Sequence, residues 1–475
     1  MRSKLKRWIY FAIFVYIVCT ILIWHADNGA YTGVGTETYM PSLVPNITAV
    51  IISINSSVGQ MKTKAGKVIN STFDKISEIA GHVQSNCPGM TFPKNLVRDS
   101  WTSVWEDNIY VYSAFYESTK NEIRVIATRD RKKSSILHCH VWTENGTMSI
   151  SRAVLQDLPE HKGKRYICSY YLCKTEVNMK PIALSLAPTQ CGTSKHALFV
   201  QDDKPKRAAK FTVCVTPLNY KYSKAYELVE MVELNRILGA DRIVFYNHTT
   251  NTNVESVLEH YKKLGIVDVH QWNLPMGVDT WPRRNPNVEV HYFAQISALN
   301  DCLNRERYKS DFLVYQDLDE FIIPRKVKNW TELFSKLPGG KSSYMFRNTF
   351  FRKDFKEDAN FTLQSIATKY KLVTLLKQVR EAKIFTRKHR SKYIINPRKI
   401  EILGIHSATR FRIGGGEYFV DPSEALLHHY RDWENPTDKA AREKDTRMMA
   451  FKDVLLQKVL IAWSSLKDIP LGPLS

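Results

Sequence analysis

The apolar positions of the chain fall into two rhythms. From about residue 95 to 200 they form short runs at 109–112, 123–127, 136–142 and 166–171, divided by polar turns. Short β-branched and aromatic runs bounded by turn residues read as strands. Residues 91–203 are therefore expected to form a small β-sandwich-like module that acts as a spacer or packing domain. Beyond the polar, basic stretch 202–208 the rhythm becomes strand–helix alternation. Residues 211–216 read as a strand ended by Pro217, and Ser223 can cap a helix that runs to Leu238 and stops at Gly239. Residues 242–246 are the next strand, 254–264 a helix stopped at Gly265, and 266–270 a third strand. A helix at 290–303 and a buried strand at 312–316 complete the pattern. Such alternation predicts an α/β domain over 208–475, with a mixed or parallel sheet and helices on both faces.

The start of the chain reads differently. Arg2, Lys4, Lys6 and Arg7 precede an uncharged run from Trp8 to Trp24. As a helix the run is roughly 26 Å long, the short end of a membrane span. Basic residues before the span keep that end cytosolic. The expected order is a cytosolic tail at 1–7, a signal-anchor at 8–25 and a polar lumenal stem at 26–90, which includes a short helix near 72–80. The competing signal-peptide reading needs a small-x-small cleavage site, and Trp24-His25-Ala26-Asp27 is a poor one. Seven glycosylation sequons follow the span, at Asn46, Asn55, Asn70, Asn145, Asn247, Asn329 and Asn360. Seven cysteines follow it too, of which several should pair in an oxidising lumen. Cys139 can pair with Cys168 or Cys173, and the odd count leaves one cysteine over. The expected address is a single-pass type II protein of the Golgi or ER–Golgi membrane.

That address qualifies the formal charge of +21. Such a charge favours anionic partners, but a lumenal domain has no nucleic acid to meet. The basic runs 129–133 and 387–392 then read as solvated faces, with some residues available to a pyrophosphate or an acidic membrane.

The chemistry is expected where the strand at 312–316 runs into Asp317-Leu318-Asp319-Glu320. Ligands of open α/β sheets bind beyond the carboxyl ends of strands. Acidic side chains buried there need compensation, and a hard divalent cation bridging to phosphate oxygens provides it. On a regular strand Asp317 and Asp319 would share a face. The competing reading is an acidic turn before a helix beyond Pro324. Among Glu320, Asp354, Glu381 and Glu417, any can serve as a general base, and each also reads as an ordinary carboxylate.

Several segments together are more specific: Val213-Cys-Val-Thr-Pro217, 228–239 with Glu230 and Glu233, Ile243-Val-Phe-Tyr-Asn247 and Asp301-Cys-Leu303. They continue through 317–324, Ile395-Asn-Pro397, Gly404-Ile-His406 and His429-Tyr-Arg431. Residues 211–431, almost half the chain, resemble glycosyltransferase family 92. The resemblance implies a GT-A-like fold, a UDP-sugar donor, Mn2+ and a glycan or glycoprotein acceptor. It also implies a metal-dependent, inverting hexosyltransferase, with galactose the foremost sugar. By position, Asp317 and Asp319 become the metal and nucleotide motif, joined by His406 or His429, which read equally well as packed histidines. Pro217, Asn219 and Asn247 would lie near the nucleotide, so Asn247 should carry no glycan. The alternative is an inactive lumenal protein that binds a nucleotide sugar or a glycan without turnover.

Overall fold

The structure is a computed structural model. It describes residues 87–474 except 88–89, 94, 106–107, 134–135, 205–208, 279–286, 357–363, 413 and 434–438. The expected anchor, stem and short helix near 72–80 lie outside the described residues. Among those residues no helix is long and apolar enough to cross a membrane.

Residues 96–201 form one ten-stranded sheet. At its centre Glu122–Asp130 pairs antiparallel with Ile109–Glu117 on one side and Tyr166–Lys174 on the other. The strands alternate faces. Val111, Val125, Ala127, Tyr171, Leu184 and Leu198 close the sheet over a core of its own. The Cys139–Cys173 disulfide crosses that core. Cys168 lies five residues from Cys173 and so points to the opposite face, where it stays buried and unpaired. Two further disulfides join Cys87 to Cys191 and Cys214 to Cys302.

The second sheet has seven strands and is mixed. Val267–Gln271, Arg242–Asn247, Ala209–Val215 and Ser310–Gln316 lie side by side and parallel. Lys392–Ile395 then joins antiparallel, followed by Ser343–Phe346 and Glu417–Phe419. Helices Ala225–Leu238 and Thr252–Lys263 cover one face together with Lys452–Ser465 from the end of the chain. The other face carries helix Gln295–Glu306, and the rest of it is covered by the ten-stranded sheet. Tyr110, Tyr112, Ile126 and Tyr170 share a core there with Val244, Leu313 and Tyr315. The β-rich module is thus a layer of the α/β unit, and its aromatic face stands where further helices were expected.

Two local expectations change. Gly239 ends its helix with φ 113°, as expected, but Ser223 does not cap it. Its hydroxyl instead accepts from the backbone N–H of Leu474 at 3.0 Å. The helix expected from 290 begins at Gln295, because Tyr292, Phe293 and Ala294 take left-handed backbone angles with φ of 43°, 57° and 52°.

Buried ions join the ten-stranded sheet to the two-stranded hairpin of Ile400–Leu403 and Ala408–Phe411, which shares the core with Leu313 and Tyr315 of the seven-stranded sheet. The Arg124 guanidinium meets Glu401, and Lys120 and Arg412 each lie 3.0 Å from the same carboxylate. Burial raises the pKa of Glu401, but the three cations hold it well below the usual carboxylate range. Its folded-state pKa is depressed, so its stabilisation is full above the ordinary glutamate range and is lost progressively as pH falls from there through the folded-state pKa. Glu401→Gln should therefore lower stability at neutral pH by about 3 kcal/mol, by less below about pH 4. Urea unfolding should show both sheets melting in one transition. A neutral substitution, or two separate transitions, would refute the joint.

Candidate active site

The carboxyl ends of Ala209–Val215 and Ser310–Gln316 open onto a cleft of about 960 Å³. Strand Ser310–Gln316 stops one residue short of Asp317, and Asp317, Leu318 and Asp319 form a turn. The backbone N–H of Asp317 donates to the Glu320 carboxylate at 3.0 Å, and the N–H of Glu320 donates to the Asp317 carbonyl. The two aspartates are therefore not neighbours on one strand face, and the turn sends them to different partners. Glu320 opens a strand of a third, small sheet. Glu320–Pro324 pairs antiparallel with Ala425–Arg431, in a register that places Glu320 opposite His429. Asn348–Arg352 flanks the other side of Ala425–Arg431.

Asp317 is fully engaged. It accepts from the Thr216 hydroxyl at 2.9 Å and from the Lys392 ammonium at 3.0 Å. Lys392 is buried and lies 3.3 Å from Glu320 as well. Burial alone would lower its pKa, but Asp317 and Glu320 raise it well above the ordinary lysine range. Lys392 is thus a fixed positive charge beneath the acidic turn.

Asp319 and His429 face each other at the cleft, with carboxylate and Nε2 3.4 Å apart. The His429 Nδ1 lies 3.2 Å from Glu320. Burial opposes charge on Asp319, yet His429 brings its pKa down to about 2. Burial lowers His429, and Asp319 and Glu320 outweigh it to raise its pKa. Burial and the neighbouring aspartates push Glu320 up to about 7, against Lys392 and His429.

These residues fit a divalent cation. Two ligands on one ion about 2.1 Å away lie roughly 3 Å apart, close to the Asp319–His429 separation. A ligating imidazole normally gives its other nitrogen to a carboxylate, the place Glu320 holds. Among the described residues no group of three His, Cys, Asp or Glu converges on one point. The pair suits an ion whose remaining positions are filled by substrate phosphates and water. Of the four residues expected at a metal, the structure joins Asp319 and His429. Asp317 is paired with Lys392. His406 lines the same cleft with its Nδ1 3.3 Å from the Ser391 carbonyl, and burial and the nearby Lys392 lower its pKa to about 4.

Pro217 and Asn219 line the cleft, as the motif positions imply. Asn247 does not. It is buried behind Leu218, with its amide donating to Thr250 at 3.0 Å. As possible bases, Glu320 is buried beneath His429, while Asp354, Glu381 and Glu417 lie outside the cleft lining, beside Arg352 or Lys388. Lys353, Asp432 and Trp433 were not expected in the cleft, and 387–392 was expected to be a solvated face with some residues available to a pyrophosphate. Lys388, His389 and Arg390 in fact line the cleft. The available signal was the apolar Tyr393-Ile-Ile395, which marks a buried strand immediately after Lys392.

Fold and site define a mixed α/β protein with an acidic turn and a buried histidine at the ends of its strands. The family model described as Glycosyltransferase family 92 matches residues 209–459, just over half of the chain, and the chain belongs to that family. Among Caenorhabditis elegans relatives, glycosyltransferase family 92 protein F13G3.3 is 23% identical over 238 residues, covering 48% of this chain and 46% of its own. Beta-1,4-galactosyltransferase galt-1 is 26% identical over 234 residues, covering 47% of this chain and 48% of its own. The chain spans about half the length of these curated relatives. A solved structure of GalNAc-T7 with UDP, GalNAc and Mn2+ is 13% identical with a TM-score of 0.27, covering 59% of this chain and 54% of its own. At that score the likeness carries no argument.

Two outcomes test this geometry. Lys392→Met leaves two carboxylates without their buried counter-charge and should cost about 3–5 kcal/mol in urea unfolding. The double change Lys392→Met, Glu320→Gln should recover part of the loss, and simple additivity would refute the coupling. In chain secreted from a eukaryotic host, peptide mass spectrometry should find Asn247 without glycan, because its amide is buried.

Proposed function

We propose that this protein transfers a hexose, galactose foremost, from a UDP-sugar to a glycan or glycoprotein acceptor. The reaction is metal-dependent and inverting, and it runs on a GT-A-type donor site. The observation that carries the proposal is the Asp319–His429 pair at the cleft, backed by Glu320. Membership of the family supports it, as does the relative named as a galactosyltransferase.

Asp319 and His429 would hold Mn2+, which when bound neutralises charge that develops on the departing diphosphate. The remaining work falls to the chain itself. Lys388, Arg390 and Lys224 line the same cleft and attract the diphosphate. Lys392 fixes Asp317 and Glu320, so the turn keeps its shape when the donor arrives. Pro217 and Asn219 border the nucleotide end. We place the protein in the Golgi or ER–Golgi membrane as a single-pass type II chain with a lumenal catalytic domain. The three disulfides suit that compartment.

The test is turnover of a UDP-sugar panel by the full chain with Mn2+. Asp319→Asn and His429→Ala should each lower kcat/KM at least about 100-fold and weaken Mn2+ binding in calorimetry. His406→Ala should bind Mn2+ nearly as wild type. Undiminished turnover in a chelator would overturn the metal role.

A further inference from the structure

A second cavity of about 300 Å³ adjoins the donor cleft, and Trp433 lines both. Glu381, Lys383 and Phe385 line the second cavity with it. The wall between the two is a file of rings. Trp433 and Phe385 each meet Phe350 edge-on at 5.2 Å, and His389 stacks on Phe385 at 5.2 Å. Phe350 also lies 5.0 Å from His429, so the file is in register with the Asp319–His429 pair. The Arg352 guanidinium, itself buried, sits 4.7 Å from the Trp433 ring and holds the indole in place. A partly exposed aromatic wall, rigidly held and flanked by a carboxylate and a lysine, suits a sugar. The C–H faces of the sugar meet the negative ring faces, and its hydroxyls meet the polar groups.

Asp432 stands beside this wall in the donor cleft. The other cleft carboxylates are engaged. Asp317 holds Lys392, Asp319 faces His429, and Glu320 is buried between them. Glu227 accepts from Tyr222 at 2.6 Å and from Lys353 at 3.2 Å. The Asp432 side chain is 76% exposed, with a loose ion pair to Lys353 at 3.8 Å.

Resting on the transferase reading, we infer that Asp432 and Trp433 form the acceptor site. The acceptor glycan lies across Trp433, with its reacting hydroxyl at Asp432 and its next sugar in the second cavity. Asp432 takes the hydroxyl proton as the acceptor oxygen bonds to the sugar's anomeric carbon. The bond from that carbon to the diphosphate oxygen breaks, and its electron pair leaves with the diphosphate.

The test uses full chain, UDP-galactose and p-nitrophenyl mono- and disaccharides. Asp432→Asn should lower kcat about 10²–10⁴-fold with donor KM unchanged, and Asp432→Glu should restore part of it. Trp433→Ala and Phe385→Ala should raise KM for disaccharides about 10-fold, erase their advantage over monosaccharides and leave donor KM alone. Trp433→Phe should keep that advantage. Wild-type kcat in Asp432→Asn, or a product formed with retention by NMR, overturns the base. Equal effects on mono- and disaccharides overturn the track, as does UDP-galactose binding without transfer to any glycoside. A chain that binds no UDP-galactose sinks the transferase reading instead.

Discussion

The site depends on one buried ammonium. Asp317, Asp319 and Glu320 crowd into four residues at the junction of two sheets, and carboxylates so placed repel one another and lose their water. Lys392 enters from the antiparallel neighbour of the preceding strand and lies within 3.3 Å of both Asp317 and Glu320. With Lys392 held between those two, Asp319 is left as the carboxylate at the cleft, facing the His429 Nε2. The local charge therefore has a direction: positive beneath the turn, negative at the cleft. A cation or a cationic transition state is drawn to Asp319, not to the cluster as a whole.

Backbone strain shapes the opposite wall. Tyr220, Lys221, Tyr292, Phe293 and Ala294 all take left-handed angles without being glycine, and each such residue costs on the order of 1–3 kcal/mol. The strain is held by packing. The indole N–H of Trp272 donates to the Phe293 carbonyl at 2.9 Å, and the Phe293 ring meets Tyr220 and His248 at about 5 Å. Its consequence is that Tyr220 and Tyr292 are exposed at the cleft instead of packed in a helix turn. Natural chains tolerate such distortion chiefly where binding makes use of it.

The same features explain what could be read from the sequence. The parallel strands and their helices were legible because apolar periodicity and glycine stops act locally, and Asp317 to Glu320 stood out where a buried strand ends. The partner of Asp319 was legible only as a choice between His406 and His429. Deciding between them needs the register of Glu320–Pro324 against Ala425–Arg431, a contact more than a hundred residues apart in sequence. Lys392 looked like part of a solvated basic run because nothing local distinguishes a buried cation from an exposed one. Asn247 misled for a related reason. It does end a strand of the sheet, but that strand lies one place further from the turn, and Leu218 stands between it and the cleft.

The β-rich module fits the same account. A sheet with a parallel core needs both faces covered, and among the described residues helix Gln295–Glu306 is the one long helix on this face. Tyr110, Tyr112 and Tyr170 fill the rest with large rings whose hydroxyls still find partners, Tyr112 on the Gln271 carbonyl at 2.9 Å and Tyr170 on Asn300 at 3.0 Å. Asp301, deep in that helix, accepts from Ser113 of the module and from Tyr246 of the sheet. The face that a spacer would leave free is therefore committed to holding helix Gln295–Glu306. The strained segment 292–294 leads directly into that helix, so the module reaches the cleft through it and bears on the geometry of the site without lining it.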